Sequence, residues 1–334
     1  MPKVSIIIPV YNKEMYLENT LNAITNQKYQ DYELILIDDG SIDKSKEIIE
    51  YFEKKNKKIK TIHQKNSGVS AARNKGLEIA IGEWVWFIDA DDTPNCSFLE
   101  DVKNLLDCSK YDVIFANYTK IMPNGEIVYV DSGISGNIDS DKFATYFMEE
   151  QYETGFYGYL WCKLIKRNFI EENKIRFDVG LTLAEDLKFM VGIYASNPNM
   201  YFWTGNSMRY TVDAAESSKN KRIDYKRQFD IQKDIYDWVY NMSVEEQHLE
   251  KQRKRLGKYV AYVFYYAYEE KRTIQEEIKW FCEYKEIKCL IQKNYEGNIM
   301  SLITILAYHK CFGGIKVVLW IKNFMRRIAR WFQK

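Results

Sequence analysis

Four short apolar runs, each cut off by a polar loop and separated by helical spacing, constrain this chain more than anything else in it. Val4 to Val10 is continuously apolar and ends in Pro9-Val10-Tyr11-Asn12. Tyr32 to Ile37 (YELILI) is broken by Asp38-Asp39-Gly40-Ser41, Lys58 to His63 is a third, shorter run, and WVWFIDADDTP from Trp84 to Pro94 is the fourth. Uninterrupted apolar runs of this length read as strands buried on both faces. Between them, Glu14 to Gln27 carries Leu17, Leu21 and Ile24 at helical spacing. A second helix runs through Phe52, capped by Ser41 or Asp43, and the small-residue stretch Val69 to Ile81 makes a third. The order β-α-β-α-β-α-β predicts a doubly wound, mostly parallel α/β sheet.

Open sheets of this kind bind ligands beyond the C-terminal ends of their strands. The fourth run delivers Asp89, Asp91 and Asp92 to that edge. Carboxylates so close repel unless a cation lies between them, and oxygen ligands suit Mg²⁺ or Mn²⁺. An isolated DxD is usually no more than a solvated acidic turn, so its neighbours decide. Neither GxGxxG nor GxxxxGK[ST] follows the first strand, which disfavours a dehydrogenase or a P-loop kinase. PVYNKEMY is not the Gly-rich basic loop of a nucleotidyltransferase. Asp38 and Asp39 end the second strand, where a carboxylate can accept from a base N–H or a ribose hydroxyl, or merely form a turn and a cap. Arg73 can offer a charged fork to a diphosphate or remain a solvated helix residue.

SIIIPVYN, ELILIDDGSID, NSGVSAARNKGL and WVWFIDADD, in this order and spacing, closely resemble the inverting glycosyltransferases of family 2, which have the GT-A fold. The likeness is dense over about the first 120 residues and thins out towards residue 215. It implies that Pro9, Tyr11 and Asp39 hold the nucleotide base, that Asp89 lies near the ribose, and that Asp91 meets the metal and diphosphate. It leaves Asp92 without an assignment. Tyr159-Leu160-Trp161-Cys162-Lys163-Leu164 is similar to a segment under the acceptor side, which makes Trp161 and Lys163 acceptor-side candidates, against core packing as the plainer reading. An acidic pair opening a helix is often only favourable to the helix dipole. The resemblance gives Asp186 the role of general base, with Glu185 supporting it or binding acceptor.

One departure stands out. Many relatives supply a His after the base, whereas Arg209, Tyr210 and Ser217-Ser218 occupy that region here, leaving the third protein contact of the metal undetermined. His63 reads as a core or rim residue.

Asp112 to Tyr118 reads as a further strand, and Ile127 to Val130 as part of a hairpin built on Pro123-Asn124-Gly125. From Lys219 the chain turns to long amphipathic helices over Tyr225–Tyr240, Val244–Lys271 and Ile274–Gln292. The expected organisation is a GT-A catalytic domain over 1–218, a helical region over 219–300 and a basic tail over 301–334.

The net charge of +1 hides an asymmetry. Seven basic and no acidic residues follow Glu296, so the 41 basic and 47 acidic residues before them balance at −6. Drawn as a helix, Lys316 to Lys334 places Val317, Trp320, Ile321, Phe324, Met325, Ile328, Trp331 and Phe332 opposite an entirely basic face. That pattern predicts peripheral attachment to an anionic membrane, in competition with simple docking on the protein's own helices. MPKVSIII enters a strand at once, so no signal peptide is expected, and no apolar run is long enough to span a bilayer. Six cysteines without a CxxC suggest reduced thiols rather than zinc or disulfides.

The resulting expectation is inverting, metal-dependent transfer from a UDP-linked sugar to a glycan or lipid-linked acceptor in bacterial surface polysaccharide synthesis, on the inner face of the cytoplasmic membrane and without nucleic acid. Transfer to protein or to a teichoic-acid-like polymer is the alternative enzyme reading. An inactive nucleotide-sugar binder or scaffold is the alternative from another class.

Overall fold

The computed structural model describes residues 1–212, 223–284, 299–311 and 313–322. Two compact units emerge, Met1–Arg222 and Ile223–Lys334.

In the first unit, β1 (Val4–Val10), β2 (Tyr32–Asp38), β3 (Ile59–His63) and β4 (Trp84–Phe87) form parallel pairs in the order β3-β2-β1-β4. The helices α1 (Leu17–Thr25), α2 (Ser45–Lys55) and α3 (Val69–Ile79) connect them. Every residue of β2 is buried, as its unbroken apolar run predicts. Small residues in α3 let the helix sit close to the sheet. A Cβ on Gly76 would come within 2.4 Å of Ile7 Cγ2.

Beyond β4 the pairing changes character. β9 (Lys163–Lys166) runs antiparallel to both β4 and β6 (Val113–Ile121), while β10 (Met200–Thr211) runs parallel to β6. The two-residue β5 (Thr93–Pro94) and β8 (Gly136–Ile138) pair antiparallel with β10, and β7 (Ile127–Val130) completes the expected hairpin with β6. The doubly wound pattern therefore describes the first half of the sheet, and the second half is mixed. Trp86 on β4 donates its indole N–H to the Trp161 carbonyl at 2.7 Å, tying the two halves together.

The start of α2 departs from expectation. Neither Ser41 nor Asp43 is its N-cap residue; Lys44 is, without a side-chain cap. The Ser41 hydroxyl instead accepts from the Asn12 N–H. Asp43 accepts from the N–H groups of Ser45 and Glu14, stitching the loop after β1 to the helix.

The second unit is helical over Tyr225–Asn241, Glu246–Glu269, Ile274–Glu283, Ile299–Tyr308 and 313–322. In the last of these, Ile315 and Leu319 are buried while Val317, Trp320 and Ile321 are exposed. These residues of the face expected to be apolar are thus in solvent here, and a narrower seam of Ile315 and Leu319, nearly opposite them round the helix, does the packing. Lys322 lies over the Tyr265 ring, 4.2 Å from its centroid. Residues 323–334 of the expected amphipathic tail, the end of the expected Ile274–Gln292 helix and Ser217-Ser218 lie outside the described residues. Among the described residues no helix is long and apolar enough to cross a membrane, and Cys96, Cys108, Cys162 and Cys311 are in no disulfide.

Candidate active site

The C-terminal ends of β1 to β4 bring Val10, Asp38, His63 and the loop after Phe87 to one edge. Asp38 and Asp39 are both buried there. Asp38 accepts from the Ser41 N–H at 2.9 Å and pairs with His63 Nδ1 at 2.8 Å. Asp39 accepts from Ser67 N–H, Gly68 N–H and the Gln64 amide, at 2.7 to 2.8 Å. Three donors leave it little free acceptor capacity, since an ionised carboxylate has about four lone-pair positions. Asp39 thus fixes the entry to α3, and a base N–H would share an oxygen with these bonds. Gly40, at φ +76, allows the loops to close in, as a Cβ there would come within 2.8 Å of the Asn66 backbone nitrogen. Pro9 lies half-buried within β1, and Tyr11 is 45% exposed on the loop beyond it.

Arg73 is not a solvated helix residue. It is buried, and its guanidinium donates to Asp89 Oδ1 at 2.7 Å and Asp186 Oδ1 at 2.5 Å, with Glu185 at 3.8 Å. It lies over the Phe177 ring, while Asn74 clamps the Phe177 backbone through both N–H and C=O. Consecutive residues of α3 thus hold the segment leading into α4 (Glu185–Ala195) and reach the carboxylate at its start. Ala184, just before that start, adopts the left-handed region at φ 61, a conformation that non-glycine residues adopt at a cost. Burial pushes the Asp186 carboxyl up to about 7. The Arg73 guanidinium lowers it, and the charges of Asp89 and Glu185 raise it again. A carboxylate titrating there can take a proton at neutral pH and release it again, which is what a general base needs.

The three carboxylates of the DxDD loop have separate fates. Asp89 belongs to Arg73. Asp91 is partly exposed and pairs with Lys13 Nζ at 2.6 Å. Asp92 is buried, with Oδ2 lacking a hydrogen-bond partner, and burial drives its carboxyl towards the protonated form, assisted by the charges of Asp89 and Asp91. Among the described residues no cluster of three or more His, Cys, Asp or Glu could hold a metal. The donor set therefore does not suit an all-protein cage. What it offers is one partly exposed carboxylate, Asp91, which would suit an ion such as Mg²⁺ whose other ligands come from a diphosphate and water.

Trp161 is buried, and Lys163 more completely so. The Lys163 ammonium donates to the carbonyls of Phe156 and Tyr159 and touches Cys162 Sγ. Burial lowers its pKa. So sealed, the Lys163 side chain braces the 156–159 segment and meets no acceptor directly. The sequence reading missed Lys13 on Asp91, the Asp38–His63 pair and the rings flanking Trp161. Lys13–Asp91, Asp38–His63 and Trp161–Tyr210 each join residues at least 25 positions apart, and only the Asp-His juxtaposition at two strand ends left a local trace.

The model of glycosyl transferase family 2 matches residues 5–173, half of the chain. The chain belongs to glycosyl transferase family 2. Among family members, it is 31% identical to the uncharacterized glycosyltransferase EpsJ of Bacillus subtilis over 58% of its own length and 56% of the relative's. It is 33% identical to the putative glycosyltransferase EpsH of the same organism, over 53% and 50%. The chain thus spans about half the length of these two relatives. Poly(ribitol-phosphate) beta-N-acetylglucosaminyltransferase TarP of Staphylococcus aureus is 28% identical over 91% of this chain and 94% of that one. The crystal structure of S. aureus TarS 1–349 with UDP-GlcNAc superposes with a TM-score of 0.65 at 20% identity, covering 96% of this chain and 91% of that one. The family's GT-A fold is accordingly the fold of this chain.

Proposed function

We propose that this glycosyltransferase moves a sugar from a UDP-linked donor to a hydroxyl of a glycan or lipid-linked acceptor, with inversion, in building a bacterial surface polysaccharide. The observation that carries the reading is the Asp186–Arg73–Asp89 bridge, which ties a carboxylate suited to base work to the donor-side loop. Asp186 would take the proton of the acceptor hydroxyl as that oxygen attacks the anomeric carbon. The bond to the diphosphate breaks on the opposite face, so one displacement inverts configuration and no covalent enzyme intermediate forms. A divalent ion held by Asp91 would neutralise the charge that develops on the departing diphosphate. Tyr11 and Asp39 would flank the base, Pro9 would shape the loop, and Asp89 would face the ribose. UDP and UDP-GlcNAc in the TarS structures support a uridine donor.

Two further features bear on where transfer takes place. Val317, Trp320 and Ile321 are exposed on a helix leading into a tail that carries only basic charge. This supports peripheral attachment to the anionic inner face of the cytoplasmic membrane, where lipid-linked acceptors would be met. The near full-length match to TarP favours a second reading, transfer of N-acetylglucosamine to a polyol-phosphate polymer. The test is release of UDP from a panel of UDP-sugars with Mn²⁺ and with chelator. Release that needs the ion is expected. Undiminished release in excess chelator would remove the metal from the reading, and failure of every nucleotide sugar to bind would leave a scaffold.

A further inference from the structure

Lys13 reaches Asp91 from a loop that holds its backbone firmly. The loop follows the end of β1, and the Lys13 ammonium donates to Asp91 Oδ2 at 2.6 Å. The Lys13 N–H donates to Ser45 Oγ at 2.8 Å, and its carbonyl accepts from Leu17 N–H at 2.9 Å. The backbone is thereby tied to the starts of both α2 and α1. Its neighbours are pinned as well. Asn12, in the left-handed region at φ 51, accepts from Ile42 N–H through its side chain, and the Glu14 carboxylate accepts from Lys44 N–H. Asp91 stands on an equally fixed loop, since the Thr20 hydroxyl on α1 is shared between the carbonyls of Ala90 and Asp92, at 2.9 and 2.8 Å.

With both backbones held, what can move is the lysine stem. Arg73 differs in this respect, being buried and forked between Asp89 and Asp186. The Lys13 side chain keeps 22% of its surface in solvent and that of Asp91 keeps 27%. Lysine is a compact charge on a flexible stem, able to exchange one anion for another while its backbone stays in place. An ion pair at this exposure contributes little to stability, so giving it up costs little.

We infer that Lys13 is a donor-binding residue with two partners: Asp91 before the nucleotide binds, and the donor's diphosphate once Asp91 is given over to a divalent ion. The inference rests on the reading that Asp91 takes the ion and that the donor is a UDP-sugar. In the first position the ammonium occupies the carboxylate that an ion would need, so an ion arriving without nucleotide has to compete with it. In the second it helps to neutralise the donor. The diphosphate of a UDP-sugar is doubly negative, and with ionised Asp91 and a divalent ion beside it a single negative charge is left over, which the ammonium cancels. In transfer, the bond from the anomeric carbon to the diphosphate oxygen breaks and that oxygen keeps the electron pair. The acceptor oxygen forms the new bond, and its proton goes to Asp186. The departing group gains negative charge at that moment, and Lys13 would meet it as a point charge, without the geometric demands of a guanidinium fork.

The test uses the full chain. UDP and uridine are titrated calorimetrically at saturating Mn²⁺, and Mn²⁺ is titrated without nucleotide, with the free ion followed by electron paramagnetic resonance. Lys13→Met should weaken UDP by about tenfold, the scale of one hydrogen bond to a charged group. Uridine, which has no phosphate, should bind as before. The same variant should bind Mn²⁺ alone several-fold more tightly, because the competing cation is gone. Lys13→Arg keeps the charge and should keep UDP affinity close to that of the wild type. Lys44→Met, exposed at the start of α2, should change none of the three affinities and controls for the mere loss of a positive charge nearby. Lys13→Gln serves should the methionine variant fail to fold. Unchanged UDP affinity in a folded variant would leave Lys13 as a loop contact and overturn the inference. Equal losses for UDP and uridine would trace the effect to the base and overturn it too, as would the absence of any gain in Mn²⁺ affinity. Failure of the wild type to bind UDP, or Mn²⁺ binding to the UDP complex that Asp91→Asn does not weaken, would strike the underlying reading instead.

Discussion

The two flanks of the active-site edge neutralise their carboxylates in opposite ways. On the nucleotide flank, Asp38, Asp39 and Asp43 lie within six residues and are met by backbone N–H groups of Ser41, Ser67, Gly68, Ser45 and Glu14. On the transfer flank, Asp89 and Asp186 come from segments far apart in the chain and share one guanidinium, that of Arg73. Many small dipoles form a redundant arrangement, in which losing one leaves the others. A single buried cation between several carboxylates is brittle, because its loss strands all of them at once. The first flank should tolerate single substitutions, and the second should not.

The largest effect expected from this contrast is that of Arg73→Met. Removing one partner of a buried ion network costs about 3–5 kcal/mol. For a unit of this size that corresponds to a fall in melting temperature of very roughly 6–20 °C. Transfer should collapse as well, since the base loses its tie to the donor loop. Arg73→Lys keeps the charge but cannot fork to two carboxylates, and should recover stability only in part. A methionine variant that melts with the wild type would erase the contrast.

Next in size is Asp186→Asn, which keeps the shape but removes the base. Transfer should fall by about 10²-fold or more with UDP affinity nearly unchanged. On the proposed mechanism, the ionised form of Asp186 is the active one in the wild type. With its carboxyl raised to about 7, transfer should drop roughly tenfold for each pH unit below that value and level off above it. A rate indifferent to pH between 5 and 8 would place the base elsewhere, with Glu185 the next residue to test.

The same contrast explains how much of the molecule was legible in sequence. The nucleotide flank is built from contiguous motifs at strand ends, so β1 to β4, their helices and the positions of Asp38, Asp39, Asp89 and Asp91 follow from periodicity and punctuation. Family resemblance is the source of the base role proposed for Asp186. Neither periodicity nor resemblance revealed that Arg73 is buried between carboxylates, because charge pairing between residues 113 apart depends on how two helices meet. The mixed half of the sheet was equally silent. β9 is four residues long, and nothing in KLIK says that it inserts antiparallel between β4 and β6. The packing phase of the helix 313–322 escaped too. Its apolar residues, spread round the helix, support more than one stripe, and the partner surface selects Ile315 and Leu319.

A third, smaller effect is expected at Asp39. Asp39→Ala leaves the Ser67 and Gly68 N–H groups and the Gln64 amide without their acceptor, at a cost of about 1–3 kcal/mol where they are buried. UDP and UDP-sugars should weaken alike, by about tenfold, because the contact is to the nucleotide and not to the sugar. Unchanged UDP affinity together with a lowered melting temperature would reduce Asp39 to a loop fastener.

The smallest effect should come from Asp43, where redundancy is greatest. Its carboxylate joins the start of α2 to the loop after β1, and Ser41 and Ser45 make parallel links to Asn12 and Lys13. Asp43→Ala should therefore cost about 1 kcal/mol, the scale of one helix-start hydrogen bond. The sign of its pH dependence follows from its environment. Burial acts to raise the carboxyl, but hydrogen bonds from Ser45 and from the Glu14 N–H outweigh it and hold the group below the usual carboxylate range. A depressed pKa in the fold means that the stabilisation is complete above the unfolded value of about 4 and is lost as pH falls through the folded value. Urea unfolding of wild type and Asp43→Ala should thus differ at pH 7 and converge as the pH is lowered through the depressed value of the folded state. If the gap at pH 7 instead rivals that of Arg73→Met, the nucleotide flank is as brittle as the transfer flank, and the distinction between shared dipoles and a single buried cation fails.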